Sequence, residues 1–419
     1  MTINAGAPLR AEQLAVALGG RTILRDCSFA VAPGEFVGII GPNGAGKSTL
    51  MRGLRGLLPL TEGKVEVFGE PIHAMGDKQA ARLVAYMQQD VNVGFGYTAL
   101  EVVLAGRYPY LDWWRNETDA DREIARRYMR FTGVEEMADK PVNQVSGGER
   151  QRILLAKALA QETPLIFLDE PTASLDLVYQ EEIFRHCQTV CAHGKSVLLI
   201  AHDLKQAAKF CSRLILVAGG GILADGMPEE VVTPENLDQA YGLHSAVFQN
   251  QVTGNLDIHT FVGCERQKKF NRIHVIGGGG AVGPILRNLY ERDYHVSAGV
   301  LQDGDTDADV AAAFGIVYVP ARAFTAIDDN QAEAHRRLLE TADWAILGNV
   351  YFGQQNLDNL KAAFLARRLI VVEDSPITDR DCSGGEATRL YGELLQKTRA
   401  RVVDQETLLR EMAAGTLFR

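Results

Sequence analysis

Gly41-Pro42-Asn43-Gly44-Ala45-Gly46-Lys47-Ser48, followed by Thr49, puts three glycines, a lysine and a hydroxyl into one tight turn. Glycines let successive backbone N–H groups turn toward a single point, and a helix starting there adds its positive end, so the turn suits phosphate. At this spacing Lys47 reaches the outer phosphates of a nucleoside triphosphate and the Ser48 hydroxyl ligates Mg²⁺. A second group of chemically useful residues lies far along the chain, where the apolar run Leu165-Ile166-Phe167-Leu168 ends in Asp169-Glu170. Asp169 is suited to hold Mg²⁺ through water, and Glu170 to polarise an attacking water. Gly41, Asn43, Gly44, Gly46, Lys47, Ser48, Thr49 and Asp169 are therefore the expected phosphate and metal groups.

These groups need strands that deliver them to one edge of a sheet. From Leu14 to about Tyr241 short β-branched runs alternate with helical stretches, the pattern of α/β layers around a largely parallel sheet. Strands are predicted at Glu35–Ile40, Leu165–Leu168, Ser196–Ile200 and Leu214–Val217, with an amphipathic helix near Asp119–Phe131. The glycine turn follows the first of these strands and precedes the helical run Leu50–Leu57, which is the setting a phosphate turn requires. A parallel strand buried on both faces should be continuously apolar, as Leu165–Leu168 is, and ligands collect at its carboxyl end.

Size and charge narrow the class. With 419 residues, 46% of them apolar, the chain holds more than one domain and cannot be disordered throughout. A net charge of −10 and the lack of a Lys/Arg cluster speak against a nucleic-acid partner. No run approaches the roughly 18 apolar residues of a membrane span, and Met1–Arg10 lacks the apolar core of a signal peptide. The six cysteines are scattered, as suits a reducing compartment. Cys187 and Cys191 would share a helix face, flanked by His186 and His193, which fits either packed thiols or a zinc site.

Val145-Ser146-Gly147-Gly148-Glu149-Arg150-Gln151-Arg152 resembles the signature sequence of ABC-type ATPases. With the motifs above it covers roughly residues 1–240 in that family's order. Val145 stands where leucine is usual, and Leu18, before Gly19-Gly20, where an aromatic often stacks on adenine. The resemblance implies ATP and Mg²⁺ as cofactors and a head-to-tail homodimer. In such a dimer Ser146, Gly147 and Gly148 face the γ-phosphate held by the opposite subunit. It further implies an interface role for Asp176, a γ-phosphate contact for His202, and for Gln89 a link between Mg²⁺, water and the membrane partner. Glu170, His202 and Gln89 are the implied catalytic set, with Ser48, Gln89 and Asp169 around the metal.

Tyr97 to Tyr110, followed by Trp113 and Trp114, resembles the docking segment of ATPases that power importers of iron-siderophores, haem and cobalamin. The resemblance implies a peripheral protein at the cytoplasmic face of the cell membrane, held there by permease subunits and served by a substrate-binding protein. The alternatives are an importer of another small solute, or a non-transport ATPase of the same family. The latter usually carries a coiled-coil insertion or two cassettes in one chain; neither is visible here.

The fold class expected is therefore an ABC cassette with a helical subdomain over 1–245, a linker at 246–270, and a Rossmann-like α/β accessory domain over 271–419. In the last, Gly278-Gly279-Gly280-Ala281-Val282-Gly283 follows the strand Ile273–Ile276, and Asp303 lies where a ribose-binding acid would sit. Asp303–Asp307 also reads as a turn and helix cap. No convergent acid and base residues point to hydride chemistry. The domain reads either as a nucleotide- or ligand-sensing regulatory module or as a dimer-stabilising one without ligand. Asp381–Glu386 is a further glycine turn, either anion-binding or an ordinary loop.

Overall fold

The computed structural model describes residues 6–88, 96–111, 117–172, 175–250, 253–261 and 271–418. The chain divides into two compact units, Met1–Ser245 with Gln249–Ile258, and Ala246–Phe248 with His259–Arg419.

The first unit opens with β1 (Leu9–Leu18) and β2 (Arg21–Val31), turned at Gly19-Gly20, both at positive φ. Next come β3 (Phe36–Ile40), α1 (Lys47–Leu54), β4 (Glu62–Val67) and β5 (Glu70–Pro71). An antiparallel sheet runs in the order β2-β1-β4-β5 and packs its apolar face, including Leu14 and Val16, against Leu50, Met51 and Leu54 of α1. Then follow α2 (Asp77–Leu83), β6 (Val84–Met87), α3 (Ala99–Leu104), α4 (Asp119–Phe131) and α5 (Gly147–Ala160). The last part holds β7 (Leu165–Asp169), α6 (Leu177–Ala192), β8 (Ser196–Ile200), α7 (Leu204–Phe210), β9 (Arg213–Ala218), β10 (Gly221–Gly226), α8 (Pro228–Val231) and α9 (Pro234–Tyr241).

The central sheet runs β10-β9-β3-β8-β7-β6, parallel except for β10. Every residue of β3, β7 and β8 is buried, which is why these segments read as unbroken apolar runs. The helices α3, α4 and α5 are locked together by Arg107. Its guanidinium donates to Asp121 Oδ1 at 3.0 Å from the side of α4 and to the Ala160 carbonyl at 2.9 Å at the end of α5. Arg107 is buried, so its charge is tolerable only because it is paired in this way. Cys187 and Cys191 do share a face of α6; both are buried, and burial pushes the Cys191 thiol up to about 11.

The stretch expected as a linker contains structure. β11 (His244–Gln249) and β12 (Leu256–Phe261) pair as a two-stranded sheet. Their short, half-polar sequences hide the alternation that would mark them as strands.

The second unit continues with β13 (Arg272–Ile276), α10 (Gly283–Glu291), β14 (His295–Gln302), α11 (Thr306–Ala313), β15 (Val317–Ala321) and α12 (Asp329–Glu340). It ends with β16 (Trp344–Leu347), α13 (Leu357–Ala362), β17 (Leu369–Val372), α14 (Ile377–Arg380), α15 (Glu386–Thr398), β18 (Arg401–Val403) and α16 (Gln405–Ala414). Its sheet, β15-β14-β13-β16-β17-β18, is parallel throughout, and apolar clusters fill both faces. This is the doubly wound Rossmann order, in which the chain reverses its winding direction between β13 and β16.

Two histidines lie in this second core. His274, on β13, pairs Nδ1 with Ser297 Oγ at 2.9 Å, and its ring lies 5.0 Å from that of His335 on α12. Burial pushes His335 down to about 4, and pushes His274 well below the ordinary histidine range with help from His335. Both are therefore neutral when folded and bind protons more readily unfolded. Their contribution is fully present above about pH 6.5 and is lost as the pH falls toward 4. Acidification from pH 7 to 4.5 should cost the second unit about 2–3 kcal/mol through His335 alone. Urea melts across that range should show the loss in the wild type and less of it in His335→Gln.

Candidate nucleotide site

Three loops meet at the carboxyl edge of the central sheet because three strands are neighbours there. The phosphate turn leaves β3, Asp169-Glu170 ends β7, and His202 follows β8. The turn at Gly41–Gly46 is a cradle whose first and last glycines have no space for a side chain. A Cβ on Gly41 would lie 2.1 Å from the Val217 carbonyl oxygen, and one on Gly46 2.8 Å from Leu24 Cδ2. Gly41, Gly44 and Gly46 all have positive φ, so only glycine meets both demands at the first and last of them. Gly46 caps α1 without a side chain, which leaves the first N–H groups of that helix facing outward.

Lys47 is buried, and its Nζ donates to the carbonyls of Gly41 and Pro42 at 2.9 and 3.0 Å. Burial lowers its pKa, opposed by the charges of Glu170 and Asp169. The ammonium is thus held over the cradle. Ser48 Oγ donates to Asp169 Oδ1 at 3.0 Å, so the two groups suited to Mg²⁺ already adjoin. Burial and the neighbouring Glu170 push the Asp169 carboxyl up, while Ser48, Tyr86 and Lys47 pull it down. A divalent cation between Ser48 and Asp169 would remove that penalty, so the donor set fits the metal.

Tyr86 is a participant that motif reading passes over. Its hydroxyl donates to Asp169 Oδ2 at 3.1 Å, and burial beside that carboxylate raises its pKa. The only trace in the sequence is its place on β6, which pairs in parallel with β7 and sets Tyr86 beside Phe167.

Glu170 is buried and has φ 53°, left-handed backbone that a glutamate adopts at a cost of about 1 kcal/mol. The turn carries its side chain to Oε1···Nε2 2.5 Å from His202. Asp203, the next residue, accepts from the N–H groups of Lys205 and Gln206 and so fixes the loop that holds His202.

Lys47, Ser48, Asp169, Glu170 and His202 are therefore brought together within one chain. The signature residues are not. Ser146 caps α5 in a reciprocal box with Glu149, and Ser146 and Gly147 are exposed. Among the described residues no hydrogen bond or ion pair joins Ser146, Gly147 or Gly148 to the Lys47 cluster. Asp176 accepts from the Tyr179 N–H at 3.1 Å as the cap of α6. Asn43 and Thr49 lie on the phosphate turn and α1 as expected. Leu18, at the end of β1, is exposed. Gln89, Trp113 and Trp114 lie outside the described residues.

The ABC transporter family profile matches residues 24–173, and that of the MJ0874 family matches 296–409. The cobalamin import ATP-binding protein of Halobacterium salinarum is 38% identical over 325 residues, 77% of this chain and 81% of that protein. The chain belongs to the ABC transporter ATP-binding proteins. It is an ATPase that uses ATP with Mg²⁺. The ferric enterobactin transport ATP-binding protein of Escherichia coli is 37% identical over 252 residues, 59% of this chain and 92% of that one. A metal-chelate type ABC transporter solved in an inward-facing conformation matches with TM-score 0.54 and 25% identity, covering 62% of this chain and 98% of that one.

Tyr86→Phe keeps the ring and removes one of the hydrogen bonds that present Asp169. The Mg²⁺ concentration for half-maximal ATPase activity should rise about threefold to tenfold. An unchanged Mg²⁺ titration would make the Tyr86 contact incidental.

Proposed function

We propose that this ATPase is the motor of an importer whose pore is a separate integral-membrane permease, with a corrinoid or iron chelate as cargo. The observation that carries the ATPase half is the convergence of Lys47, Ser48, Asp169, Glu170 and His202 on one cradle. Cobalamin comes first among cargoes because the match to the cobalamin import protein spans 325 residues. That exceeds what the first unit alone holds. Ferric siderophore and haem remain the second reading, supported by the ferric enterobactin relative and by a hemin import ATP-binding protein of Rhodococcus jostii, 39% identical over 247 residues.

In this reading the N–H groups of the glycine turn and Lys47 bind the β- and γ-phosphates, and Ser48 and Asp169 hold the metal, with Gln89 as a further ligand. Bound Mg-ATP supplies the transferable phosphoryl group and the metal charge. Glu170 accepts a proton from the attacking water, and His202 orients that carboxylate. The exposed Ser146 and Gly147, with the half-buried Gly148, close over the γ-phosphate of a second copy, with Asp176 at the same interface. The working unit is then a head-to-tail homodimer whose closing and reopening moves the permease between its two access states.

Tyr97 and Tyr108 support the membrane partner. Both are more than half exposed beside α3, an unusual place for large aromatic rings on an unpartnered surface. Among the described residues no helix is long and apolar enough to cross a membrane. Attachment at the cytoplasmic face of the membrane would come through the permease, and a substrate-binding protein would deliver cargo.

The test is ATP-driven uptake into proteoliposomes that contain this chain and its co-purified permease. Labelled cobalamin, haem and a ferric siderophore are offered in parallel. Cobalamin should enter, and Glu170→Gln should bind ATP yet cut turnover and uptake by about a hundredfold or more. Full turnover in Glu170→Gln would remove that residue as the base, and the absence of uptake of all three cargoes would overturn the importer reading.

A further inference from the structure

At the carboxyl end of the second unit's sheet, where β13 and β16 lie side by side, a cavity of about 840 Å³ opens. It sits at the point where doubly wound sheets hold ligands. Its glycine turn, Gly278–Gly283, matches the pattern that elsewhere seats a dinucleotide pyrophosphate. Here the turn is already full. Asp305 accepts from the N–H groups of Gly279 and Gly280 at 2.6 and 3.1 Å. Asp307, wholly buried, accepts from Val282 at 3.2 Å and Gly283 at 2.7 Å. Two carboxylates of the chain thus occupy the place of a pyrophosphate, and among the described residues no lysine or arginine lines the cavity to offset a further negative charge.

The rest of the cavity is built for hydrogen bonds and a flat ring. Asp303, at the end of β14, is exposed, and its backbone is pinned by a 2.8 Å bond from its N–H to the Ala321 carbonyl. Phe324 stands at the rim 88% exposed and at φ 58°, a conformation that costs a non-glycine residue energy. Gln302 clamps it there, accepting from the Phe324 N–H at 3.3 Å and donating to the Thr325 carbonyl at 3.2 Å. Tyr351, from the loop after β16, is 63% exposed on the same cavity. Asn359 lines it as well, almost fully buried. Its Nδ2 donates to the carbonyls of Gly277 and Val300, and its Oδ1 has no hydrogen-bond partner among the described residues. An aromatic held exposed in strained backbone at a cavity rim gains little from packing and is placed to meet a ligand.

We infer that this cavity binds a nucleoside-like ligand without phosphate, its vicinal hydroxyls on Asp303 and its base against Phe324 and Tyr351. The glycine turn is a closed anion seat, so nucleotides and dinucleotides are excluded. The residues that line the site all belong to the second unit.

Titration calorimetry of the full chain with adenosine, guanosine, cytidine and uridine, and with AMP and NAD⁺, tests this. At least one nucleoside should bind, and Asp303→Ala should weaken it about tenfold or more. Asp303 and Phe324 are exposed, so neither Asp303→Ala nor Phe324→Ala threatens folding, and Phe324→Ala should weaken the same nucleoside. AMP and NAD⁺ should show no binding that depends on Asp303. The inference is overturned if none of the four nucleosides binds, if nucleoside binding ignores both substitutions, or if AMP or NAD⁺ binds in an Asp303-dependent way.

Discussion

Ile200 holds the register on which the ATP site depends. In the parallel ladder it pairs with Ile39 on one side and with Asp169 on the other. That pairing brings the ends of β3, β7 and β8 to one level, so the phosphate turn, Asp169-Glu170 and His202 emerge as neighbours. A slip of one residue in β7 would turn Asp169 to the opposite face of the sheet. The unbroken burial of β3, β7 and β8 is what makes such a slip expensive, since every side chain on them has a fixed apolar place. The chemistry at the edge is therefore a consequence of packing in the middle.

Charge is managed the same way in both units, by neighbours already in place. In the cassette, Lys47 rests on two carbonyls and Asp169 on two hydroxyls, an arrangement ready to exchange those partners for phosphate and metal. In the second unit the partners are carboxylates, and they close the seat. Asp305 and Asp307 fill the Gly278–Gly283 turn. Asp381 does likewise at the later glycine turn, where it accepts from the N–H groups of Ser383 and Thr388. Similar glycine-rich sequences thus give an open anion site in one half and filled ones in the other. The difference lies in an acid that opens the turn, as Asp381 does, or in acids that arrive from another loop, as Asp305 and Asp307 do.

This contrast explains what the sequence could and could not reveal. Phosphate turns, buried parallel strands and the acids at strand ends are local patterns with strong steric causes, so Gly41–Ser48, Leu165–Glu170 and the strand Ser196–Ile200 were legible directly. Contacts between distant segments were not. Tyr86 reaches Asp169 only through the pairing of β6 with β7, the left-handed turn at Glu170 leaves no mark in composition, and Asp307 looks like a helix-start acid until its N–H partners are seen. The strands β11 and β12 escaped notice because six half-polar residues carry too little alternation to stand out from a connector.

In the proposed homodimer one chain supplies the cradle, base and metal ligands while a second copy supplies the signature serine and glycines. ATPase measurements on mixed dimers test it most directly. A Lys47→Ala chain paired with a Ser146→Arg chain would place both defects in one site and leave the other intact. A doubly substituted chain paired with an unsubstituted one would damage both. The account predicts residual ATP hydrolysis in the first dimer and none in the second. Activity in the second dimer and none in the first would show that each chain completes its own site, and would contradict the account.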